Sequence, residues 1–432
     1  MREGTMPEKP EVSGWTPRTA YVVALLTLIY AFNTVDRNLF GLLVPMIEKD
    51  LHLSDTMIGL LSGFAFALFY ATAALPIASI ADRWNRRNII TIGLAFWSLV
   101  TACHGLLQTA WQFAIMRFML GAGEASSVAP SNSMIADLFG PSQRPLALGL
   151  LSMATSLGIL FAFPVLGWVS EVHGWRMAFA VAGVPGLLTA LIFFLTVREP
   201  RRVNDAGKAA IDNPVSLRQA VLSLGRSRAY VFGVLAGTMV STNLAIMQTW
   251  LPTFLARTQG MNQEDLGSLI GFLRGPGGII GGLAGGWLTS HLARRDPRWL
   301  YRVPAFAMLL IAPAQAMLLF STTPFLWKAG LLLETLLLVS TIGPLFALLL
   351  STAGPVMRSV AIALFLLVSN LLGQSIGPVV AGAISDMLHP TQGSEAIRYA
   401  MTTAILAAVL ASGFCFAAGH FLSRAKGVGQ GD

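Results

Sequence analysis

Six ionisable side chains lie within long apolar stretches of the sequence: Asp36, Arg37, Arg117, Glu124, Arg274 and Glu334. An ionised side chain at the centre of a bilayer costs about 2.5–3.5 kcal/mol on insertion scales. Charges kept in such places therefore pair with one another or face a water-filled cavity. The pattern predicts a polar site enclosed by apolar helices, with purely structural ion pairs between helices as the alternative.

The positions of these charges along their helices place most of them in one layer. At a rise of about 1.5 Å per residue, four of them lie roughly 10–14 Å below the outer face: Asp36, Arg117, Arg274 and Glu334. Glu124 lies deeper, near the bilayer midplane. Depth favours a pair between Asp36 and Arg117, while Arg37 can reach towards Glu124.

Three acids and three arginines in one cavity can bind both a proton and an anionic group. In a dry cavity a carboxyl holds its proton more tightly, and a neighbouring arginine opposes this effect. A substrate that displaces the arginine would therefore change the protonation, which is one route to coupling. Arginine binds phosphate and carboxylate well, and the candidate substrate-binding residues are Arg37, Arg117, Arg274, Glu334, Asn33 and Asn243. Nearby phenylalanines either hold a hydrophobic tail or pack against other helices.

The elements that carry these residues are predicted to be membrane-spanning helices. The chain has 432 residues, of which 54% are hydrophobic and 12% charged, about half the charged fraction of a soluble domain. Lipid favours helices, because an open strand would leave backbone groups unpaired. We predict an all-α membrane protein with twelve transmembrane helices, at about 19–44, 56–80, 88–107, 110–136, 145–169, 176–197, 229–256, 266–290, 303–320, 326–351, 358–386 and 396–421.

The distribution of Lys and Arg predicts the orientation. Of the 29 such residues, 21 lie in the termini and the loops on their side, five on the opposite side and three within spans. Because cytoplasmic loops carry the excess of Lys and Arg, we expect both termini in the cytoplasm of a bacterium, with the spans in its inner (plasma) membrane. The expected order is a tail, a six-helix bundle, a linker, a second six-helix bundle and a tail, at 1–18, 19–198, 199–228, 229–421 and 422–432.

An internal repeat relates the two predicted bundles. The segment 78–87 is similar to 286–295, which follows 208 residues later, and Pro164 has a counterpart in Pro378, 214 residues later. Two repeated halves around a central cavity are typical of secondary transporters. The first copy of the repeated loop is charged, and a cytoplasmic gate is predicted at Asp82, Arg83, Arg86, Arg87 and Arg144. A plain basic loop is the alternative.

Other classes of function receive little support from the sequence. The net charge of +8 comes from short loops, so no nucleic-acid partner is expected. Cys103 and Cys415 lie in apolar runs, and neither a metal site nor a nucleotide motif nor a Ser-His-Asp set has useful spacing. We expect a monomeric transporter in membrane lipid rather than an enzyme or a receptor, with no cofactor apart from a coupling proton.

Several motifs resemble known families. The segment 82–87 resembles the loop 2–3 signature of the major facilitator superfamily, and three stretches resemble its spinster-type transporters, at 36–37, 117–125 and 133–139. The resemblance implies transport of lipid-like amphiphiles such as lysophospholipids or sphingoid phosphates. It also implies that Asp36 and Glu124 are the proton-linked acids, with Arg37 and Arg117 as their partners. A drug or a soluble organic acid is the alternative substrate.

Overall fold

The computed structural model describes residues 14–65, 77, 80, 84–140, 142–200, 217–353 and 357–427. Helices are the only regular secondary structure in these ranges. The N-terminal half contains α1 (Pro17–Leu51), α2 (Asp55–Gly59, continued by a π-helix at Leu60–Phe64), α3 (Arg86–Cys103), α4 (Ala110–Leu138), α5 (Arg144–His173) and α6 (Trp175–Thr196).

The C-terminal half follows a linker helix, Leu217–Arg226. Its first four spans are α7 (Arg228–Gln259), α8 (Gln263–Arg295), α9 (Trp299–Phe320) and α10 (Pro324–Thr352). Its last two are α11 (Arg358–Val368, a π-helix at Ser369–Gln374, and Ser375–Gln392) and α12 (Thr402–Gly427, preceded by the short helix Ala396–Ala400).

Side-chain caps determine where several helices begin. Thr16 before α1 and Thr109 before α4 each form a capping box with the side chain three residues later. Such caps satisfy backbone N–H groups that the first turn of a helix leaves without a partner. The two caps thus set the helix starts at Pro17 and Ala110. At its other end α1 continues past its apolar run to Leu51 and stops at His52, whose backbone is left-handed.

The helices are long and apolar enough to cross a membrane. Nine stretches of the described chain meet this condition, and the last of them, Val360–Arg424, contains both α11 and α12. The charged α4 is not among the nine, and about half of the predicted second span, 56–80, lies outside the described residues. The prediction of an all-α membrane fold is confirmed, whereas the predicted tails and linker stay predictions.

The two halves meet along one end of the molecule. We call the side with the basic loops the inner side and the opposite side the outer side. Near the outer side, a Cβ placed on Gly267 of α8 would lie 2.9 Å from the Cα of Gly167 on α5. Likewise, a Cβ placed on Gly59 of α2 would lie 2.6 Å from the carbonyl oxygen of Pro378 on α11. Glycine at these positions allows backbones of opposite halves to touch.

The same helices separate towards the inner side. A Cβ placed on Gly149 of α5, or on Gly286 of α8, would meet no described atom within 4 Å. The seam between α5 and α8 is therefore closed at the outer side and apart at the inner side.

Candidate functional site

An arginine of α1 and a glutamate of α4 form an ion pair inside the N-terminal half. Arg37 Nη2 lies 3.1 Å and Arg37 Nε lies 3.4 Å from Glu124 Oε2. The Glu124 side chain is fully buried, whereas that of Arg37 is 25% exposed. Glu124 Oε1 accepts no hydrogen bond from the part of the chain that the structure describes. The pair thus combines an enclosed carboxylate, with one oxygen available for a proton, and an arginine that reaches open space.

Asp36 and Asn33 belong to the same buried region of α1. Asp36 is 3% exposed, and Thr101 of α3 lies beside its carboxylate. Asn33 is 4% exposed and lies beside Glu124. The Asp36 and Glu124 carboxyls are close enough for each to feel the other's charge.

Arg117 of α4 does not form the pair with Asp36 that its depth predicts. Its Nε donates to the carbonyl oxygen of Leu61 and its Nη2 to that of Ser62, each at 3.2 Å. Its guanidinium lies 4.6 Å from the ring centroid of Phe40. Both carbonyls belong to the π-helical turn of α2, where backbone hydrogen bonds depart from the α-helical pattern. Arg117 therefore anchors α4 to α2.

The C-terminal half contains a second pair, between α8 and α10. Arg274 Nη2 lies 3.6 Å from Glu334 Oε1, and the two side chains are 10% and 0% exposed. The hydroxyl of Thr335 donates to Glu334 Oε2 at 3.1 Å. Two charges that are isolated in the sequence are thus brought together, so that an arginine–glutamate pair with a fully buried glutamate lies in each half.

Asn243, a predicted substrate-binding residue, forms hydrogen bonds within the C-terminal half. Its amide nitrogen donates to Gln315 Oε1 at 3.1 Å and to the Ala404 carbonyl oxygen at 2.7 Å, and Gln315 Nε2 donates back to its oxygen at 3.1 Å. The residue is fully buried within the C-terminal half, because its amide bonds to α9 and α12. Gln315 in turn lies beside Glu334. Asn243 is therefore joined through Gln315 to the region of the second ion pair, and its role in substrate binding stays a prediction.

A polar cleft lies between the halves, next to the first ion pair. Its lining from the N-terminal half includes Arg37, Asn38, Ser62 and Arg117, and its lining from the C-terminal half includes Gln248, Thr249 and Gln374. Guanidinium groups of the N-terminal half and side-chain amides of both halves thus face the same cleft. Donors of this kind recognise carboxylate and phosphate groups, and the cleft is narrow, with a volume of about 30 Å³.

The predicted gate residues that the structure describes bond within the N-terminal half. Arg86 is 2% exposed and contacts Asp137 at 2.5 Å and Glu199 at 2.7 Å. The Arg87 backbone N–H donates to Glu199 Oε2 at 2.8 Å, and Arg144 Nη2 donates to the carbonyl oxygen of Ala136, near the end of α4, at 2.6 Å. These contacts fasten the inner ends of α3, α4 and α5 and the segment after α6 to one another. Asp82 and Arg83 lie outside the described residues.

A charged network at the outer side was not predicted from the sequence. Arg257 at the end of α7 donates to both carboxylate oxygens of Asp55, at 2.6 and 2.9 Å, and lies 2.7 Å from Glu48. The acids belong to α2 and α1, so this network joins the two halves. The sequence did contain a signal for this network. Glu48 and Asp55 are acids near the α1–α2 turn, and Arg257 lies near the end of α7.

The sequence matches a known family over most of its length. The family model described as Major Facilitator Superfamily matches residues 26–378. The chain belongs to the major facilitator superfamily. Members of this superfamily are membrane transporters, and among the described residues no group of three or more His, Cys, Asp or Glu side chains is suited to a metal ion.

Relatives within the superfamily carry efflux and spinster names. The chain is 30% identical over 401 residues to an MFS-type efflux pump of Mycolicibacterium smegmatis, covering 93% of this chain and 92% of the relative. It is 29% identical over 410 residues to protein spinster homolog 1 of Homo sapiens, covering 89% and 77%. The chain also matches the crystal structure of a bacterial homologue of the human lysosomal transporter Spinster in an inward-facing, unoccupied conformation. The TM-score is 0.85 and the sequence identity 26%, and the match covers 95% of this chain and 99% of the other. The spinster-like assignment is confirmed.

Proposed function

We propose that the protein is a proton-linked transporter of an amphipathic anionic or zwitterionic solute, such as a lysophospholipid or a sphingoid phosphate. The ion pair between Arg37 and Glu124 is the observation that carries this proposal. Arg37 is partly exposed and also lines the cleft, while Glu124 is enclosed behind it. A ligand in the cleft can therefore reach the arginine without reaching the acid.

The proposed coupling follows from competition for Arg37. An anionic head group bonds to the guanidinium and draws it away from Glu124. A carboxylate left in a buried place without its partner is unfavourable, so Glu124 binds a proton. Its oxygen Oε1, which accepts no hydrogen bond from the described residues, is the place for that proton. Asp36 shares the proton as the second acid of the same region. Release of the ligand reverses these steps.

The proposed substrate class rests on the chemistry of the cleft and on the relatives. Arginine and amide donors suit a phosphate or a carboxylate. Similarity to proteins named spinster homologs supports a lipid-like solute for this chain. The proposed setting is a bacterial inner membrane, with the inner side and both termini in the cytoplasm, because cytoplasmic loops carry the excess of Lys and Arg.

Export of a drug is the second candidate. The M. smegmatis relative is called an efflux pump and matches nearly the full length of this chain. The same arginine–glutamate pair would then couple proton entry to export of a drug. A soluble organic acid is a further candidate for the same cleft, since a carboxylate alone would bind to Arg37.

Transport into proteoliposomes tests both the substrate class and the coupling. Lysophospholipids of several chain lengths, a cationic drug and an organic acid would be compared, each with and without an imposed pH gradient. We expect flux of the lysophospholipids that increases with the gradient. If no lysophospholipid is moved or competes with the drug, the lipid proposal is wrong. If the gradient changes no flux, the proton linkage is wrong.

A further inference from the structure

A carboxylate of the C-terminal half caps a helix of the N-terminal half at the outer side. Asp386, near the end of α11, accepts hydrogen bonds from the first two backbone N–H groups of α2. Its Oδ1 lies 3.0 Å from Asp55 N, and its Oδ2 lies 2.8 Å from Thr56 N. The Thr56 hydroxyl donates to Oδ2 as well, at 2.5 Å. A side chain of one half thus satisfies backbone donors that the other half leaves free.

The reverse arrangement occurs on the other side of the outer mouth. Glu171, near the end of α5 in the N-terminal half, accepts a hydrogen bond from the backbone of Gln263 through Oε2, at 2.9 Å. Gln263 is the first residue of α8 in the C-terminal half. Each half therefore supplies one carboxylate to a helix start of the other half.

The two caps are related by the internal repeat of the chain. Asp55 and Gln263 are 208 residues apart, the spacing that relates the repeated loops after α2 and α8. Glu171 and Asp386 are 215 residues apart, within one residue of the spacing between Pro164 and Pro378. The same contact has thus been built twice, once on each side of the pseudo-twofold axis.

Both caps are electrostatically favourable only while the outer ends touch. A negative side chain at a helix N-terminus is stabilised by unpaired N–H groups and by the helix dipole. When the halves separate at this end, each carboxylate must exchange these partners for water. The first cap is reinforced, because the Asp55 carboxylate also binds Arg257 of α7.

We propose that Asp386 and Glu171 form a pair of symmetric latches that hold the outer side closed, and that both must release for the outer side to open. This inference rests on the proposed transport function, because only a transporter needs both sides to open in turn. It involves neither the ion pair at Glu124 nor the identity of the solute. A protein with no proton coupling would still need the latches.

Spin-label distances across the outer side test the latches. Labels would be placed at Trp111 at the start of α4 and Phe325 at the start of α10, in a chain without its two cysteines. These side chains are 74% and 77% exposed and lie 214 residues apart, so they occupy equivalent places in the two halves. Distances would be measured by pulsed electron paramagnetic resonance in nanodiscs without substrate.

The variant E171Q/D386N removes both charges while nearly preserving size. We expect the ratio of long to short distances to rise roughly tenfold, given the strength of charge-assisted hydrogen bonds. E171Q alone, which leaves the reinforced cap intact, should give a smaller rise in the same direction. Asp265→Asn is the matched control, because Asp265 is an exposed acid in the first turn of α8 and should leave the distances unchanged.

Two results would overturn the inference. One is a distance distribution that is the same in the parent, in E171Q and in E171Q/D386N. The other is an equal shift in D265N, which would mean that general loss of negative charge opens the outer side. Because E171Q alone changes a single contact at the outer side, it tests the latches even when the double variant does not fold. The labels report conformation only, so failure of proton coupling would be seen separately in flux.

Discussion

At the residue scale, the Glu124 carboxylate depends on Arg37 for its charge to be tolerated. Breaking a buried ion pair by removing one partner is strongly destabilising, whereas removing both partners is much milder. Glu124 is fully buried and receives both described hydrogen bonds from Arg37. Under the proposed coupling, the pair acts as a switch with two settings: Arg37 bound to the carboxylate, or Glu124 protonated.

The variant Arg37→Met tests this dependence. We expect it to lower the free energy of unfolding by about 3 kcal/mol at neutral pH, since it leaves Glu124 buried without a partner. Adding Glu124→Gln should restore most of that loss. Thermal unfolding of the purified protein measures both effects. Arg176→Met is the control, because the pair of Arg176 with Asp50 is 43% exposed on both sides and is worth about 1 kcal/mol or less. Equal losses in the single and double variants would contradict the switch.

The sequence predicts which residues carry charge inside the membrane but not all of their partners. Depth along a helix follows from the rise per residue, so Arg37 is correctly expected to reach Glu124. Depth does not determine the direction in which a side chain points around its helix. Arg117 therefore bonds to carbonyls of α2 instead of Asp36, and those carbonyls belong to a π-helical turn that the sequence does not indicate.

At the element scale, α8 carries glycines whose roles differ along its length. Gly267 at the outer end contacts the backbone of α5 at Phe163 and Gly167, whereas Gly286 at the inner end faces open space. A larger residue is therefore expected to disturb the helix contact at Gly267 and to disturb no contact at Gly286. This contrast separates the effect of packing at the closed seam from the effect of a larger residue in α8.

We expect Gly267→Leu to prevent close contact of α5 with α8 and to favour the outward-open state. Overpacking costs about 1–3 kcal/mol, so the ratio of long to short distances between labels at residues 111 and 325 should rise roughly tenfold. Gly286→Leu should leave that ratio unchanged. The expectation fails if both variants behave alike, or if only Gly286→Leu changes the distances.

The sequence predicts the spans better than their irregular turns. Apolar runs identify the helices, because lipid excludes nearly every other structure. The π-helices at Leu60–Phe64 and Ser369–Gln374 leave no such signal, although they belong to α2 and α11, which meet across the halves. A Cβ placed on Gly63 would lie 2.7 Å from the Gln374 carbonyl oxygen. The two irregular turns therefore lie against each other across the halves, a contact that joins distant parts of the sequence.

At the scale of the whole molecule, the repeat places similar chemistry in both halves. Glu124 of α4 and Glu334 of α10 lie 210 residues apart, about one helical turn off the 214-residue spacing between the starts of these helices, and each is paired with an arginine. The arginines come from different helices, α1 and α8, so the two pairs are not equivalent. Arg37 is 25% exposed and Arg274 is 10% exposed, which favours the first pair as the site that a ligand reaches.

Transport across a series of pH values tests most directly whether the Arg37–Glu124 pair links proton to solute. Flux of a lysophospholipid into proteoliposomes would be measured for the parent chain, for Glu124→Gln and for Asp36→Asn. We expect the parent flux to depend on pH and the Glu124→Gln flux to be nearly independent of pH. The flux of Asp36→Asn should show an intermediate pH dependence. A pH dependence that is unchanged in both variants would contradict a proton-linked role for these two acids.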